Sequence, residues 1–428
     1  MRPTLRPAER LLLELMRPPT PESVPRWTAL LDTPGLDWRL FQNPSIGWSM
    51  APLFHHHLKA AGLLTRVPPE LAAAMAELAR HTALRNRVLE HHLGRLARGF
   101  GAAGIPLIAL KGADLMLTTY AAPGLRILRD LDLLVPRARV DAAEAQLRAL
   151  DFHPAVEMAR DWFDAHHHHG VEWRSADGLA HVELHWALAR PSDPFALDEA
   201  ALFERARPLA LRGEARRVDA APLLRLAPLD NLEFLAVHFF RHLTAADWAL
   251  HSLADMAQLL QREGVALAHD PALPRRAREQ GTALPLALAF HLLDDIWPDG
   301  ALAGPAAALA EAATPSLMTP GLALVAGLFR LAPDPAQPIV SGLMGLGQAR
   351  GMGGKWRYLT RSLLPAPEAL KRDLPAGQRE LAGPLRYAAF AGRYAADLGR
   401  LGFSAAWAAY RLGRLRGAME RRLPPRRA

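Results

Sequence analysis

The stretch LKGADLMLTTYAAPGLRILRDLDLLV, residues 110–135, decides the fold of this chain. It ends in LDLLV, an apolar run of strand length, and the run IPLIAL that ends at Leu110 has the same character. Between the two runs, ADLMLTTY has the apolar spacing of a short helix. Asp130 and Asp132 lie two residues apart, so on a strand they share one face, with Cα atoms roughly 6 to 7 Å apart. Carboxylates at that separation are suited to hold one or two Mg²⁺ ions.

A second predicted strand carries a third acidic candidate. In HVELHWAL, residues 181–188, Glu183 and His185 share one face and the apolar residues alternate onto the other. Metal-assisted phosphoryl transfer needs a third carboxylate, because one side chain must help to position and deprotonate the attacking hydroxyl. An isolated Asp-x-Asp pair is weak evidence by itself, and the alternative is a solvated strand end.

Lys111 and Gly112 close the first predicted strand and open the helix that follows it. The glycine allows backbone amides to approach an anion, and the lysine adds a positive point charge. Only four of the 51 basic side chains in the sequence are lysines, which draws attention to Lys111. The alternative is an ordinary strand-to-helix turn without a ligand.

The order of strands and helices predicts an α+β fold. Residues 1–100 have the pattern of several amphipathic helices, and residues 101–190 hold the predicted α+β core with its small mixed sheet. Residues 191–331 read as mostly helical, with a short irregular or β connection at their start. Residues 332–428 begin with a proline-rich linker and continue as C-terminal helices with a basic tail.

Composition excludes several classes of protein. The chain has 428 residues, half of them hydrophobic, so it is long enough for a sizeable core. It contains no cysteine, which excludes disulfides, thiolate zinc sites and a cysteine nucleophile. The apolar runs are too short to cross a bilayer and the N-terminus lacks the features of a signal peptide, so we expect a cytoplasmic protein without a membrane span.

The net charge of +8 is concentrated at the C-terminal end. Residues 411–428 contain seven arginines and one glutamate, which leaves the rest of the chain nearly neutral. A neutral body argues against an extended nucleic-acid groove. The tail indicates at most a local contact with an anionic partner, and the alternative is a docked helix with a frayed basic end.

Histidines supply further candidates. His238 and His242 are four apart on a predicted helix, and His251 and Asp255 repeat that spacing on the next one, so the two pairs are a candidate accessory site between helices. The alternative is a buried polar group that fixes helix packing or lines a cleft. The run at residues 166–169 favours a hydrogen-bonded edge near the site over metal capture, because four adjacent imidazoles cannot converge on one ion.

Several motifs together resemble a known family. LKG, a tyrosine, GLR, DLDLLVP, a helix ending in LRALDF, and VELHW follow one another in that order. They resemble the uncharacterised nucleotidyltransferase family of the polymerase-β-like superfamily, which is related to the AbiEii-type nucleotidyltransferases. Downstream, DNLEFLAVHFFRHL is similar to the helical second half of that family. The resemblance implies a polymerase-β-like core flanked by mostly helical regions.

The resemblance also implies roles for the acidic residues. Asp130 and Asp132 match the paired metal ligands of the family, and Glu183 matches the third carboxylate. All three would be catalytic and would hold two Mg²⁺ ions, for which Mn²⁺ is an alternative. His185 on the same strand face is a further accessory candidate.

The resemblance also implies phosphate contacts for the basic residues. Lys111 and Gly112 stand where the superfamily has a Gly-Ser turn on the nucleoside triphosphate, and Arg126 matches an arginine that contacts phosphate. There are two departures from the pattern. Ala113 replaces a serine, and Arg129 stands where small residues are usual.

The implied activity is transfer of a nucleoside monophosphate from a nucleoside triphosphate to an acceptor hydroxyl or phosphate, with release of pyrophosphate. The acceptor is open: it is a protein side chain, an RNA end, a sugar or a small metabolite. The alternative is a catalytically inactive scaffold or partner-binding protein that keeps the fold. The three carboxylates favour the enzyme, and the two departures favour the scaffold.

Overall fold

In this computed structural model, most of the first 329 residues are described. The described residues are 5–155, 167–191, 193–211, 223–245, 249–297, 300–325, 327–329 and 352–353. The predicted C-terminal helices and the basic tail lie outside them, apart from residues 352–353. None of the described helices is long and apolar enough to cross a membrane.

Helices precede the first strand. They are α1 (Pro7–Glu14), α2 (Ser23–Leu31), α3 (Arg39–Gln42), α4 (Ala51–Ala60) and α5 (Pro69–Ala102). The long helix α5 begins with proline, which is favourable there because the first helical N–H has no partner within the helix. Its buried residues Leu89, Leu93, Leu96 and Phe100 recur at helical spacing and pack in the same core as the sheet. A short 3₁₀ turn, Trp48–Met50, joins α3 to α4.

A seven-stranded mixed sheet forms the centre of the described chain. Its strands are β1 (Leu107–Ala109), β2 (Leu131–Leu134), β3 (Phe152–Pro154), β4 (His169–Ser175), β5 (His181–His185), β6 (Arg207–Pro208) and β7 (Leu223–Arg225). They lie in the order β3-β4-β5-β2-β1-β7-β6. Strand β2 runs parallel to β5 and antiparallel to β1, while β1 runs parallel to β7. The predicted α+β class is confirmed.

Helices connect the strands and follow them. They are α6 (Lys111–Thr118), α7 (Val140–Ala149), α8 (Glu199–Arg205), α9 (Pro228–Ala245), α10 (Ala249–Glu263), α11 (Leu273–Gln280), α12 (Ala283–Leu293), α13 (Ala303–Ala312) and α14 (Pro315–Val325). Helix α9 packs along α10 and also against α12. The sheet continues past residue 190, because β6 and β7 pair at its β1 edge.

Two hydrophobic cores meet at the sheet. Leu131 and Leu133 of β2 belong to the core that contains α5 and α7. Leu134 belongs to the larger core, which is built mainly from the N-terminal helices and from α9 to α14. Because side chains alternate along a strand, Asp132 lies on the same face as Leu134. The sheet therefore presents Asp132 towards the helices that follow it in the chain.

A candidate active site beside the central strands

Parallel pairing of β2 with β5 sets two acidic residues side by side. Asp132 is opposite Glu183, and Leu134 is opposite His185. Asp130 comes just before β2 rather than on it. It nevertheless lines the same cavity as Asp132 and Glu183. The three carboxylates singled out in the sequence thus share one cavity.

The carboxylates are joined by an imidazole. Among the residues that the structure describes, Asp132, Glu183 and His185 form a group whose possible ligand atoms lie within 4.8 Å of one another. His185 Nε2 donates to Asp132 Oδ1 at 2.9 Å and lies 3.6 Å from Glu183 Oε2. Carboxylate oxygens are the ligands that Mg²⁺ and Mn²⁺ prefer, and a hydrogen bond to a ligating carboxylate fixes its orientation. This donor set fits a divalent cation.

Lys111 supplies a positive charge at the same place. Its Nζ donates to Asp132 Oδ1 at 2.7 Å, and both side chains are largely buried. The residue opens α6 with a φ of +46°. A residue with a Cβ pays roughly 1 to 2 kcal/mol for a left-handed backbone. Such strain persists only where the surrounding structure holds the residue in place, and strained residues are concentrated at functional sites.

The acidic residues differ in how readily they ionise. Burial raises the pKa of Asp130 to about 7, and the negative charges of Asp132 and Glu183 add to the effect. Burial also opposes ionisation of Asp132, but the Lys111 ammonium and His185 outweigh it and hold the pKa of Asp132 well below its usual range. The pKa of Glu183 is lowered because the hydrogen bond with His185, among other effects, outweighs burial. Three carboxylates are thus crowded in one cavity, and an added cation would relieve their repulsion.

The cavity has a volume of about 400 Å³, which is within the usual range for a small-molecule site. Ten residues named from the sequence line it: Lys111, Gly112, Arg126, Arg129, Asp130, Asp132, Glu183, His238, His242 and His251. Two further candidates do not line the cavity but contact residues that do. His185 is fully buried and contacts Asp132, while Asp255 is buried and contacts Arg126.

Arg126 forms a closed ion pair with Asp255. Its Nη2 and Nε donate to the Asp255 carboxylate at 2.8 and 3.0 Å, and Tyr120 Oη donates to the same carboxylate at 2.7 Å. The guanidinium also covers Gly112, where an added Cβ would lie 2.5 Å from Arg126 Nη1. Glycine at position 112 thus leaves room for Arg126, in addition to any role at a phosphate.

The two histidines of α9 contact each other, and one of them also contacts Ser252 of α10. His238 Nδ1 lies 2.7 Å from Ser252 Oγ, and His242 Nε2 lies 3.2 Å from His238 Nε2. Burial lowers the pKa of His238 well below its usual range and that of His251 to about 3. Both imidazoles are therefore neutral near pH 7. Within the described residues, these histidines do not belong to the group suited to bind metal.

Two residues of the histidine run, His168 and His169, contact His185. His168 and His169 have their rings 5.2 Å from the ring of His185. His168 Nε2 lies 3.3 Å from Arg241 Nη1. These contacts fit the prediction of a polar edge beside the site. His166 lies outside the described residues.

No pattern in the sequence predicts one part of the cavity wall. Pro44, Trp48 and Ser49 line it from the N-terminal region, and Ile127 lines it near the carboxylates. The segment NPSIGWSM that holds the first three has neither helical nor strand periodicity. Only tertiary packing brings it to the sheet.

A family model matches most of the chain. The model of a family described as uncharacterised nucleotidyltransferase matches residues 34–298, which include both the sheet and the turn around Trp48. No curated protein and no solved structure matches the chain.

Proposed function

The chain belongs to the uncharacterised nucleotidyltransferase family, and from this premise we propose that it moves a nucleoside monophosphate from a nucleoside triphosphate to an acceptor hydroxyl or phosphate. In this reaction an acceptor oxygen forms a bond to the α-phosphorus. The bond from that phosphorus to the α–β bridging oxygen breaks, and pyrophosphate leaves with the electron pair. The observation that carries the proposal is the pairing of β2 with β5, which sets Asp132 beside Glu183.

Asp130, Asp132 and Glu183 are the residues that would hold the catalytic cations, most simply two Mg²⁺ with Mn²⁺ as an alternative. When bound, such ions neutralise charge on the phosphates and make the acceptor oxygen a better nucleophile. Glu183 is more exposed than Asp132: 29% of its side chain is accessible, against 7% for Asp132. It is therefore better placed than Asp132 to approach an entering acceptor and take its proton. His185 orients Asp132 through their hydrogen bond.

Lys111 is proposed to bind the triphosphate. In the structure its ammonium neutralises Asp132, so it becomes available to a phosphate oxygen once Asp132 has another cation beside it. Gly112 lines the cavity, so a triphosphate bound there would lie at the first turn of α6, where backbone N–H groups can contact an anion. Arg126 is held by Asp255, so it contributes a fixed positive charge to the wall rather than a moving contact.

The alternative is a catalytically inactive scaffold that binds a partner. Its best support is the contact of Lys111 with Asp132, which already neutralises one acid, together with Arg129, which lines the cavity. The other departure counts less than the sequence suggested. Ala113 is fully buried in the core, so a serine at that position would have no access to the cavity in this arrangement.

The proposal is tested with purified protein, Mg²⁺ and each of the four triphosphates labelled at the α-phosphate, with cell extract as the source of acceptor. We expect one or more triphosphates to label an acceptor and release pyrophosphate, and Asp132→Asn to abolish both. Asp151→Asn is the matched control, because Asp151 is an exposed residue with a φ of +61°, which asparagine also tolerates. Absence of transfer from every triphosphate would favour the scaffold.

A further inference from the structure

The lining of the cavity has two chemically different parts. One part carries charge: the three carboxylates with Lys111, Arg126 and Arg129. The other part comes from Pro44, Trp48 and Ser49 in the N-terminal region and from the histidines of α9 and α10, and it holds no carboxylate, lysine or arginine. A nucleoside triphosphate has the same division, since its phosphates are charged and its base and sugar are neutral.

The N-terminal part of this lining is rigid. Gly47 donates to Leu40 O at 3.1 Å, and Trp48 donates to Asn43 O at 3.0 Å, so the turn is closed by backbone hydrogen bonds. A Cβ at Gly47 would lie 2.6 Å from the Cα of Phe41, which shows how closely the turn packs on α3. The Trp48–Met50 turn also contacts α10, the helix that carries His251. A wall held in this way needs little ordering when a ligand binds.

Two polar groups in this lining have no partner. Ser49 is 5% exposed, and among the described residues neither its Oγ nor the buried Nε2 of His251 has a hydrogen-bond partner. Buried polar groups in native proteins are nearly always paired, so an unpaired one beside a cavity points to a ligand. Burial and the charge of Arg126 keep His251 neutral. Neutral groups of this kind recognise hydroxyls and base edges better than phosphates.

Trp48 adds an aromatic surface to the same place. Its side chain is only partly buried, and it lines the cavity next to Ser49. Nucleic-acid bases stack on indole rings, and this contact tolerates any base because each has a π face. The turn therefore combines a stacking surface with hydrogen-bonding groups.

We infer that Trp48, Ser49 and His251 form the nucleoside-binding wall of the cavity and hold the base and sugar of the triphosphate whose phosphates lie at the carboxylates. The inference rests on the proposed function, because it assumes that a nucleotide enters this cavity. It adds that the N-terminal region, outside the α+β core, supplies affinity for the nucleoside.

Comparison of two ligands separates the wall from the rest of the site. Isothermal titration in Mg²⁺ measures binding of each nucleoside triphosphate and of inorganic tripolyphosphate, which lacks a base and a sugar. We expect wild-type protein to bind at least one nucleoside triphosphate about tenfold more tightly than tripolyphosphate, on the scale of one base stacked on an aromatic ring.

Variants of the wall should remove this preference alone. Trp48→Ala and the more conservative Ser49→Ala should each weaken nucleoside triphosphate binding, by about tenfold and about threefold, and leave tripolyphosphate binding unchanged. Ser45→Ala is the matched control, since Ser45 lies in the same segment, residues 43–50, but does not line the cavity. It should alter neither affinity. Thermal melts establish that each variant is folded.

Each other outcome is decisive. If nucleoside triphosphates bind no more tightly than tripolyphosphate, or if Ser49→Ala and Trp48→Ala leave a preference intact, the wall is refuted while the triphosphate site stands. If neither ligand binds to wild-type protein in Mg²⁺, the proposed function fails and the wall fails with it.

Discussion

Two buried ion pairs lie next to Gly112, and they differ in the number of hydrogen bonds that join the partners. Arg126 and Asp255 are joined by three hydrogen bonds, and Tyr120 donates to the same carboxylate. Lys111 meets Asp132 through one contact of 2.7 Å beside an open cavity. Both pairs are largely shielded from solvent.

The difference follows from the two cations. A guanidinium forms a planar fork that matches a carboxylate, whereas an ammonium is a point charge on a flexible stem that changes partners easily. Burial opposes the charge of Arg126, but Asp255 outweighs it and raises the pKa of the guanidinium. The Arg126 pair therefore reads as a fixed support and the Lys111 pair as an exchangeable contact. Burial and charge alone do not separate structural from functional pairs, but the geometry of each pair does.

The largest effect on stability should come from breaking the fixed pair. Asp255→Ala leaves the Arg126 guanidinium buried without its partner, so we expect a loss of about 3 to 5 kcal/mol in the free energy of unfolding. Urea denaturation measures it. Tyr120→Phe removes only one hydrogen bond to Asp255 and should cost about 1 kcal/mol. A loss below 1 kcal/mol for Asp255→Ala would show that the pair is not a support.

A third buried pair extends the comparison to pH. Glu233 lies 2.5 Å from Arg276 Nε and accepts from Thr282, yet burial raises its pKa to about 7. Because the folded pKa is above the unfolded value, this contribution to stability is complete below about pH 4.5 and is lost as the pH rises through 7. Stability should fall by about 2 to 3 kcal/mol over that range relative to Glu233→Gln. Parallel pH profiles for the two proteins would contradict the assignment.

Substitution of Gly112 tests the contact between the two pairs. In Gly112→Ala the new Cβ would meet a guanidinium that Asp255 holds in place, so we expect about 1 to 2 kcal/mol of destabilisation. Gly304→Ala is the matched control, because Gly304 is helical and has open space around it. There the substitution should be neutral or stabilising. Equal effects at the two positions would mean that Arg126 moves aside at little cost.

The exchangeable pair should show the smallest change in stability and a clear change in binding. Lys111→Ala should cost about 1 kcal/mol, since Asp132 keeps His185 and borders an open cavity, and Mg²⁺ should restore part of the loss. Triphosphate affinity should fall about tenfold, as expected for one charged hydrogen bond. Lys59→Ala, at an exposed lysine, should change neither quantity. If Lys111→Ala binds triphosphate as tightly as the wild type, the turn at Lys111 has only a structural role.

Local sequence patterns predict where the acidic residues of the site lie. Alternation on β2 and β5 predicts which face Asp132 and Glu183 occupy, and Lys111 is recognisable at the end of β1. The exact start of β2 was not predictable, so Asp130 was expected on a strand that it only precedes.

Contacts between distant segments could not be predicted in the same way. The family resemblance implies a phosphate contact for Arg126, and nothing in the sequence indicates its ion pair with Asp255, which lies 129 positions further on. Trp48 and Ser49 sit in a turn without periodicity, so nothing local indicates that they reach the cavity. Strand β7 is three residues long, and its place in the sheet comes from pairing with β1 and β6. In each case the tertiary partner, rather than the local pattern, determines the role.

The most direct test of the central claim is the melting temperature of the wild-type protein and of Asp132→Asn, with and without Mg²⁺ plus each triphosphate. If the three carboxylates hold a cation for the nucleotide, Mg²⁺ with at least one triphosphate should raise the melting temperature of the wild type by mass action. Asp132→Asn should begin lower, because Lys111 loses its partner, and should show no shift with any ligand. Asp151→Asn should respond like the wild type. A wild type without a shift for any triphosphate, or an Asp132→Asn variant that shifts as much as the wild type, would contradict the assignment of these carboxylates.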